Sequence, residues 1–496
     1  MTNYTKKALK NVVIVFVISI VAAFIGYFVR IFFARNLTVE EFGLFYATIA
    51  FLGFFSFFKG LGLDTALAFF IPKFTAKSEF QNIKNSIIYA SIVLLVNNII
   101  FLIIILIFAK YLGVNFLKHD FGPIVLILMA ISLFVDSFVL LIKSSFQGFQ
   151  KMGLFSSVDI IRMILILAIS LIFFKMDYGI LSPVIAYIIT SLILLFVYFP
   201  FLYKNFDAFT KNKFFWDKPL FKRLRKYGIQ VILISSVGIV IGYSDQLMIT
   251  YFRGLEEVGI YSAVLPTAML TWYITSAIGY VLLPITSELW NKGMKTELKK
   301  GIGLLYRFSL ILILPVLSLL IIFSSIILEL FYGSNYVIGS MALKILAIGI
   351  MFHTFQGING GIFSGIGEPG INTKIIGISA ILNIFFNFLL IPKFGFTGAA
   401  VATAISYLSM ALLGLYILKK KNLIQIPYIR WIKNLAISIV FLLIVNYLNL
   451  QMTMNLFVKI PLILLVSGAI YVISLFIWGL VTVSEVKELL RRLRAT

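Results

Sequence analysis

The stretch RIFFARNLTVEEFGLFYA, Arg30 to Ala47, stands between two apolar runs and has a short polar loop at its centre. That loop carries Glu40 and Glu41, followed by Gly43. Near its middle the chain repeats the pattern as YFRGLEEVGIYSA, Tyr251 to Ala263. Arg35 answers Arg253, Glu41 answers Glu257, Gly43 answers Gly259, Phe45 answers Tyr261 and Ala47 answers Ala263. The offset is about 216 residues, with a two-residue slip in the loop. Further echoes keep the same order: Pro72 with Pro284, FQGFQKMG (Phe146 to Gly153) with FSGIGEPG (Phe363 to Gly370), and Asp177-Tyr178-Gly179 with Lys393-Phe394-Gly395. An ordered series at close offsets, from 212 to 218 residues, predicts two homologous halves.

Mean hydropathy is +1.06, and 61% of residues are hydrophobic against 12% charged. No soluble core hides that much apolar surface. Apolar segments of spanning length recur from end to end, so the fold class expected is an all-α polytopic membrane protein. The short alternating segments of a β-barrel are absent. No removable signal peptide is visible. There is no cysteine, which excludes disulfides and thiolate metal sites.

About fourteen transmembrane helices are expected, at roughly 12–34, 43–70, 86–109, 121–147, 155–174, 180–203, 227–252, 258–290, 301–323, 326–366 with a break near Gly333, 371–391, 396–419, 430–449 and 456–480. They divide the chain into an N-terminal six-helix lobe (1–203), a basic cytoplasmic linker (204–226), a C-terminal six-helix lobe (227–421), two extra transmembrane helices (422–480) and a cytoplasmic tail (481–496). In that tail, TVSEVKELLRRLR predicts an amphipathic helix on the inner leaflet. Thr482 and Glu485 have capping-box spacing, and Val486, Leu489, Leu490 and Leu493 form one face.

The net charge of +23 invites a nucleic-acid reading. With both termini in the cytoplasm, about 29 Lys and Arg fall inside and 7 outside. The charge therefore reports membrane topology, and anionic lipid at the cytoplasmic face is its partner; no nucleic acid is called for.

Six basic residues fall inside spans: Arg30, Lys59, Lys143, Arg162, Arg307 and Lys344. Each needs a wet cavity or a partner in hydrocarbon. Lys143, Arg162 and Arg307 lie near the cytoplasmic ends and are expected to snorkel, Arg162 pairing with Asp159. Arg30, Lys59 and Lys344 are deeper. Lys59 and Asp64 do not share a face of a regular helix, but Gly60 and Gly62 between them offer a break. The acids inside spans are Asp64, Asp136 and Asp245. Asp245, flanked by Ser244 and Gln246, reads either as a hydrogen bond between helices or as a proton or sodium site. Asp64 is a second candidate for ion coupling. His353 reads as a packing residue with a hydrogen bond, and Asn383 and Asn387 as links between helices.

No Walker A, HExxH or GxSxG context occurs, so neither an enzyme nor a cofactor is called for. A two-half bundle with buried cations reads as a secondary transporter that opens alternately to each side, and the cations favour a phosphate-bearing cargo.

The order of FFARNLTVEEFGLFYA, GLGLDTALAFFIPKF, SSVGIVIGYSDQLMITYFRGLEEVGIYSA and GIFSGIGEPGINTKIIGISAILNIFFNFLLIPKFGFTGAAVATAISY resembles the polysaccharide-biosynthesis flippase family, the O-antigen type within the multidrug/oligosaccharidyl-lipid/polysaccharide exporter superfamily. The resemblance implies two six-helix lobes around a cationic cavity with a lateral gate. It implies a flippase in the cytoplasmic (inner) membrane for a polyprenyl-phosphate- or pyrophosphate-linked oligosaccharide. By position, Arg30 and Lys59 match cavity cations of related flippases. They are the expected phosphate ligands, with Lys344 assisting. Span eight has no Arg or Lys where some relatives carry one. Glycosyltransferase or polymerase partners and a coupling H+ or Na+ are implied in the same way. Two other readings stand beside this one: a cation-coupled multidrug exporter, which would want acids in the cavity, and a non-transporting scaffold for polysaccharide assembly.

Overall fold

The computed structural model describes residues 3–204, 206, 213–425, 427–485 and 487. Among them the chain is helical, with no strand, and its two halves carry the internal repeat with two further helices after them. The expected apolar tail face, Val486, Leu489, Leu490 and Leu493, lies outside the described residues. By length and composition, ten helices among the described residues are able to cross a membrane, or eleven when the bent pair Lys218–Ile232 and Ser235–Arg253 counts as one.

By contact the chain forms two units: Met1–Ala263 with Ile384–Ala399, and Val264–Asn383 with Ala400–Thr496. In the first unit, α1 (Asn3–Asn36) packs on α7 (Met152–Lys175), and α7 packs on α8 (Leu181–Lys204). α6 (Gly122–Gly148) lies against both α8 and α5 (Phe80–Asn115). Between α1 and α5 the chain forms α2 (Val39–Phe54), the single turn α3 (Phe57–Gly60) and α4 (Leu63–Ala76). α9 (Lys218–Arg253) runs beside α2 and α4.

The repeated stretches meet in this unit. Thr38 caps α2 through a full capping box with Glu41. A Cβ on Gly43 would collide with the carbonyl of Leu255, and one on Gly259 with the carbonyl of Val39. Val39 and Leu255 are 216 residues apart, as are Gly43 and Gly259, so each copy presents its glycine to the same backbone position of the other. The contact is reciprocal, as in a two-fold interface. The echo at Gly179 and Gly395 behaves alike. Both have positive φ, +50° and +57°, with Glu41 beside the first and Glu257 beside the second. Phe396 N–H donates to Glu257 Oε2 at 2.9 Å. Gly395 is the bend that divides the 52-residue helix Pro369–Lys420, α14, into the two spans expected there.

The segment between the halves is more than a basic connector. Gln81 Nε2 donates to the Lys213 carbonyl at 2.5 Å, Phe215 N–H reaches Asn85 Oδ1 at 3.5 Å, and Asp217 N–H donates to Tyr89 Oη. Asp217 then caps α9 through Leu220 N–H at 3.1 Å. The aromatic run Phe214 to Trp216 packs on Tyr89, a role that its polar setting obscures.

The second unit includes α10 (Leu255–Asn291) from Val264 onward, α11 (Lys295–Ile322), α12 (Ser324–Tyr332) and α13 (Ser340–Gly365), besides most of α14. Gly333, at φ +109°, makes the expected break between α12 and the 3-10 turn Ser334–Gly339. The two C-terminal helices α15 (Tyr428–Gln451) and α16 (Leu456–Ile477) follow, α15 against α11. Arg307 does not snorkel. It is buried in α11, and its guanidinium donates to both Glu485 oxygens, at 2.9 and 2.8 Å, and to the Leu480 carbonyl. Glu485 also closes the predicted capping box with Thr482. Sequence spacing does not reveal that partnership, because the partners are 178 residues apart.

The hydrogen bond from Arg307 holds Glu485 well below its ordinary 4.5, at about 2. A depressed carboxyl stabilises docking above its ordinary value and loses that contribution as pH falls through the lowered one. Amide exchange at 480–485 should therefore keep its protection relative to Glu485→Gln from neutral pH to about 4.5 and lose the difference towards pH 2. The glycine crossing is checked by thermal melting in detergent. Gly43→Ala and Gly259→Ala should each destabilise, by about 1–3 kcal/mol or more. Gly238→Ala, with open space around it, should melt close to the parent.

Candidate functional site

The helix that carries Lys59 is broken where the glycines suggested. Leu61 and Gly62 both have left-handed backbones, φ +46° and +66°, which ends α3 and restarts the chain as α4. Gly62 accepts this because it has no Cβ, and its neighbour Gly228 of α9 approaches so closely that a methyl on either would strike the other's segment. The break places Lys59 and Asp64 on one cavity.

That cavity lies within the first unit and has a volume of about 260 Å³. Its polar lining includes Ser56, Lys59, Asp64, Thr65, Asp136, Ser137 and Ser235. Lys59 is only 5% exposed overall, with its ammonium 4.8 Å from the Phe101 ring centre. A buried ammonium in hydrocarbon is costly without such company. The cavity is thus both cationic and acidic, which the count of charges along the sequence did not reveal.

Asp136 is also the partner of Arg162, at 2.5 Å, and Lys143 grips both oxygens of Asp159 at 2.7 Å. The expectation of an Arg162–Asp159 pair within one turn is corrected: Asp159 goes to Lys143 on α6, and Arg162 reaches across to Asp136 on the same helix. Lys143 and Arg162 therefore cross-link α6 and α7 twice, and neither is a snorkelling residue. Helix contacts at this range outcompete the i,i+3 pair because both crossed pairs neutralise two acids instead of one.

Arg30 does not line this cavity. Its guanidinium lies 4.0 Å from the Tyr46 ring centre and donates to the Ser262 carbonyl at 2.6 Å. The neighbouring residue, Tyr261, donates its hydroxyl to Asp245 Oδ2 at 2.5 Å, and Asn387 Nδ2 donates to Asp245 Oδ1 at 2.7 Å. Gln246 Nε2 donates to Ser262 Oγ at 3.0 Å. Arg30 and Asp245 thus converge on one dipeptide, Tyr261-Ser262, at the end of the repeated stretch. Neither residue of that dipeptide is marked as functional by its sequence setting. Asn387 links helices as expected, and Asn383 does so through Thr403 in the second unit.

Lys344 belongs to the second unit, is half-buried in α13, and has no ion pair among the described residues. His353 is a packing residue, 4.5 Å from the Tyr407 ring and 5.7 Å from Trp272, but its Nδ1 lacks the hydrogen bond expected for it among the described residues.

Removing one partner of a buried ion pair costs about 3–5 kcal/mol, and less where water still reaches it. Arg162→Met should therefore lower the melting temperature of the purified protein. Adding Asp136→Leu should return part of the loss, since no unpaired carboxylate remains.

Comparison with known proteins follows this geometry. The model of the family described as polysaccharide biosynthesis protein matches residues 8–290, and the MatE model matches residues 227–389. An uncharacterized membrane protein of Methanocaldococcus jannaschii is 31% identical over 99% of both chains. The probable low-salt glycan biosynthesis flippase Agl15 of Haloferax volcanii is 24% identical over 76% of each chain. Among solved structures, the lipid II flippase MurJ in an inward closed conformation aligns with a TM-score of 0.77, covering 94% of this chain and 98% of that one at 18% identity. That last likeness is one of fold. With its repeat, its helices and its cavity in the first unit, the chain belongs to the polysaccharide biosynthesis protein family of membrane proteins.

Proposed function

We propose that the protein is a flippase that carries a polyprenyl-phosphate- or pyrophosphate-linked oligosaccharide from the cytoplasmic to the outer leaflet by alternating access across about fourteen spans. The observation that carries this reading is Lys59, a buried cation held at a helix break on a cavity of the first unit. A fixed ammonium in such a place suits a phosphate, which meets it as a point charge. The flippase names of relatives support the same cargo class. The process moves a lipid and breaks no bond, so the chain is read as a transporter and not an enzyme.

Arg30 and Lys59 are assigned to the phosphate, with Lys344 assisting. Asp245 and Asp64 are assigned to coupling by H+ or Na+. Loading Asp245 with a cation would weaken its hold on Asn387 and Tyr261, and Tyr261 is joined through one peptide to the Ser262 carbonyl that engages Arg30. Coupling then becomes a competition: the coupling ion loosens the dipeptide, and Arg30 is freed for the cargo. The two lobes, 1–203 and 227–421, would move about the linker 204–226. The cytoplasmic membrane, cytoplasmic termini and glycosyltransferase or polymerase partners belong to the same proposal. The match of the MatE model, with Asp64 and Asp136 in the cavity, favours a second reading as a cation-coupled drug exporter.

Transport of a labelled lipid-linked sugar in proteoliposomes separates these readings. Arg30→Ala with Lys59→Ala should cut flipping at least tenfold while the protein still reaches the membrane. Flipping at the parental rate would overturn the phosphate assignment. Drug efflux without sugar-lipid flipping would select the exporter instead. Asp245→Asn should make flipping independent of the H+ or Na+ gradient.

A further inference from the structure

The second unit holds a groove that the transport reading does not use. It lies between the N-terminal half of α11 and the segment entering α15, with a volume of about 950 Å³. Lys295, Lys299, Lys300 and Arg307 line it from α11, and Arg430 lines it from the first turn of α15. No carboxylate side chain belongs to this lining, although Glu297 lies in the same helical turn. The groove is on the side that the basic residues assign to the cytoplasm, where lysines are common. Concavity and a lining free of acids distinguish this cluster from a basic surface.

The groove is built, not accidental. Leu423 and Ile424 bury themselves and pin the strap that forms its far wall. Lys299 Nζ donates to Asn422 Oδ1 at 2.7 Å, which ties that strap to α11. Lys421 is drawn away to Glu368 at 2.7 Å and does not enter the lining. Arg307, which also lines the groove, takes both oxygens of the Glu485 carboxylate, itself outside the lining, in the bidentate geometry by which guanidinium holds oxyanions. Lys295, Lys299, Lys300 and Arg430 have no carboxylate partner among the described residues.

Four uncompensated cations around one hollow exceed what a single monoanion neutralises. We infer that this groove binds an anion carrying two phosphate groups, held by Lys295, Lys299, Lys300 and Arg430. Each phosphate group brings about 1.5 to 2 negative charges, so two of them match the lining. Lysines at the open end attract the anion, and Arg430, with its planar fork, orients it.

The full-length protein in nanodiscs of phosphatidylcholine provides the test, with inorganic pyrophosphate as titrant at constant ionic strength. Pyrophosphate should bind saturably and at least tenfold more tightly than chloride or sulfate. Lys300→Gln with Arg430→Gln should weaken it at least tenfold. Lys374→Gln, at an exposed basic residue outside the groove, should leave it unchanged. The variants in the groove are on exposed side chains, so an unchanged melting temperature is expected to accompany the loss. Repeating the titration with a two-phosphate phospholipid in the nanodisc assigns the source. Abolished pyrophosphate binding means a lipid headgroup fills the groove, and retained binding means a soluble diphosphate does. Pyrophosphate binding no tighter than sulfate, or equal in the parent and the double variant, overturns the inference. The titration is read on Lys300 and Arg430, whereas the transport reading is tested by flipping in Arg30 and Lys59 variants, so failure of the one and failure of the other are separable.

Discussion

Two glycines make the first unit possible. Gly43 and Gly259 each let the other copy's backbone come to a distance that any Cβ would forbid. In hydrocarbon, helices gain little from burying apolar surface, because lipid tails are as apolar as leucine. What remains is close packing and hydrogen bonding. A crossing of backbone on backbone, reciprocal between the two copies, is the tightest packing available. The capping box at Thr38 and Glu41 starts α2 at the register that brings Gly43 to this crossing. The same crossing brings Ser262, at the end of the second copy, to Arg30 in the last two turns of α1.

The buried charges divide by how hydrocarbon is avoided. Lys143, Arg162 and Arg307 are satisfied by carboxylates, and each ties distant segments together. These are structural. Arg30 is satisfied by a carbonyl and an aromatic face, neither of which carries a full negative charge. Lys59 lines a cavity shared with two acids, and its ammonium also lies beside the Phe101 ring. Cations held by weak partners can exchange them for an anion, whereas cations locked in ion pairs cannot do so without leaving a carboxylate bare. The distinction separates Arg30 and Lys59 from the other three on physical grounds.

Much of this was legible in the residues. Apolar length specified membrane helices, because every backbone group in lipid has to be satisfied within its own segment. The ordered echoes at close offsets specified two related halves, and the glycines at 43 and 259 and at 179 and 395 proved to occupy equivalent places. Gly60 and Gly62 announced the break beside Lys59, Gly333 the break before α13, and Thr482 with Glu485 a capping box. All of these are local: the signal and its consequence lie within a few residues.

What only the tertiary structure decided is long-range pairing. Arg162 with Asp136, Lys143 with Asp159, Arg307 with Glu485 and Asp245 with Tyr261 and Asn387 depend on which helix faces which, and on rotations of whole helices that no spacing encodes. An acid near a base in the chain, such as Asp159 near Arg162, is a candidate partner only until a neighbouring helix brings a better one. The sequence by itself determined a helical membrane protein with a duplicated plan and a set of costly buried charges. The assembled helices determined which of those charges are spent on holding the fold and which are left facing a cavity, because partnership between charges is settled by distance in space.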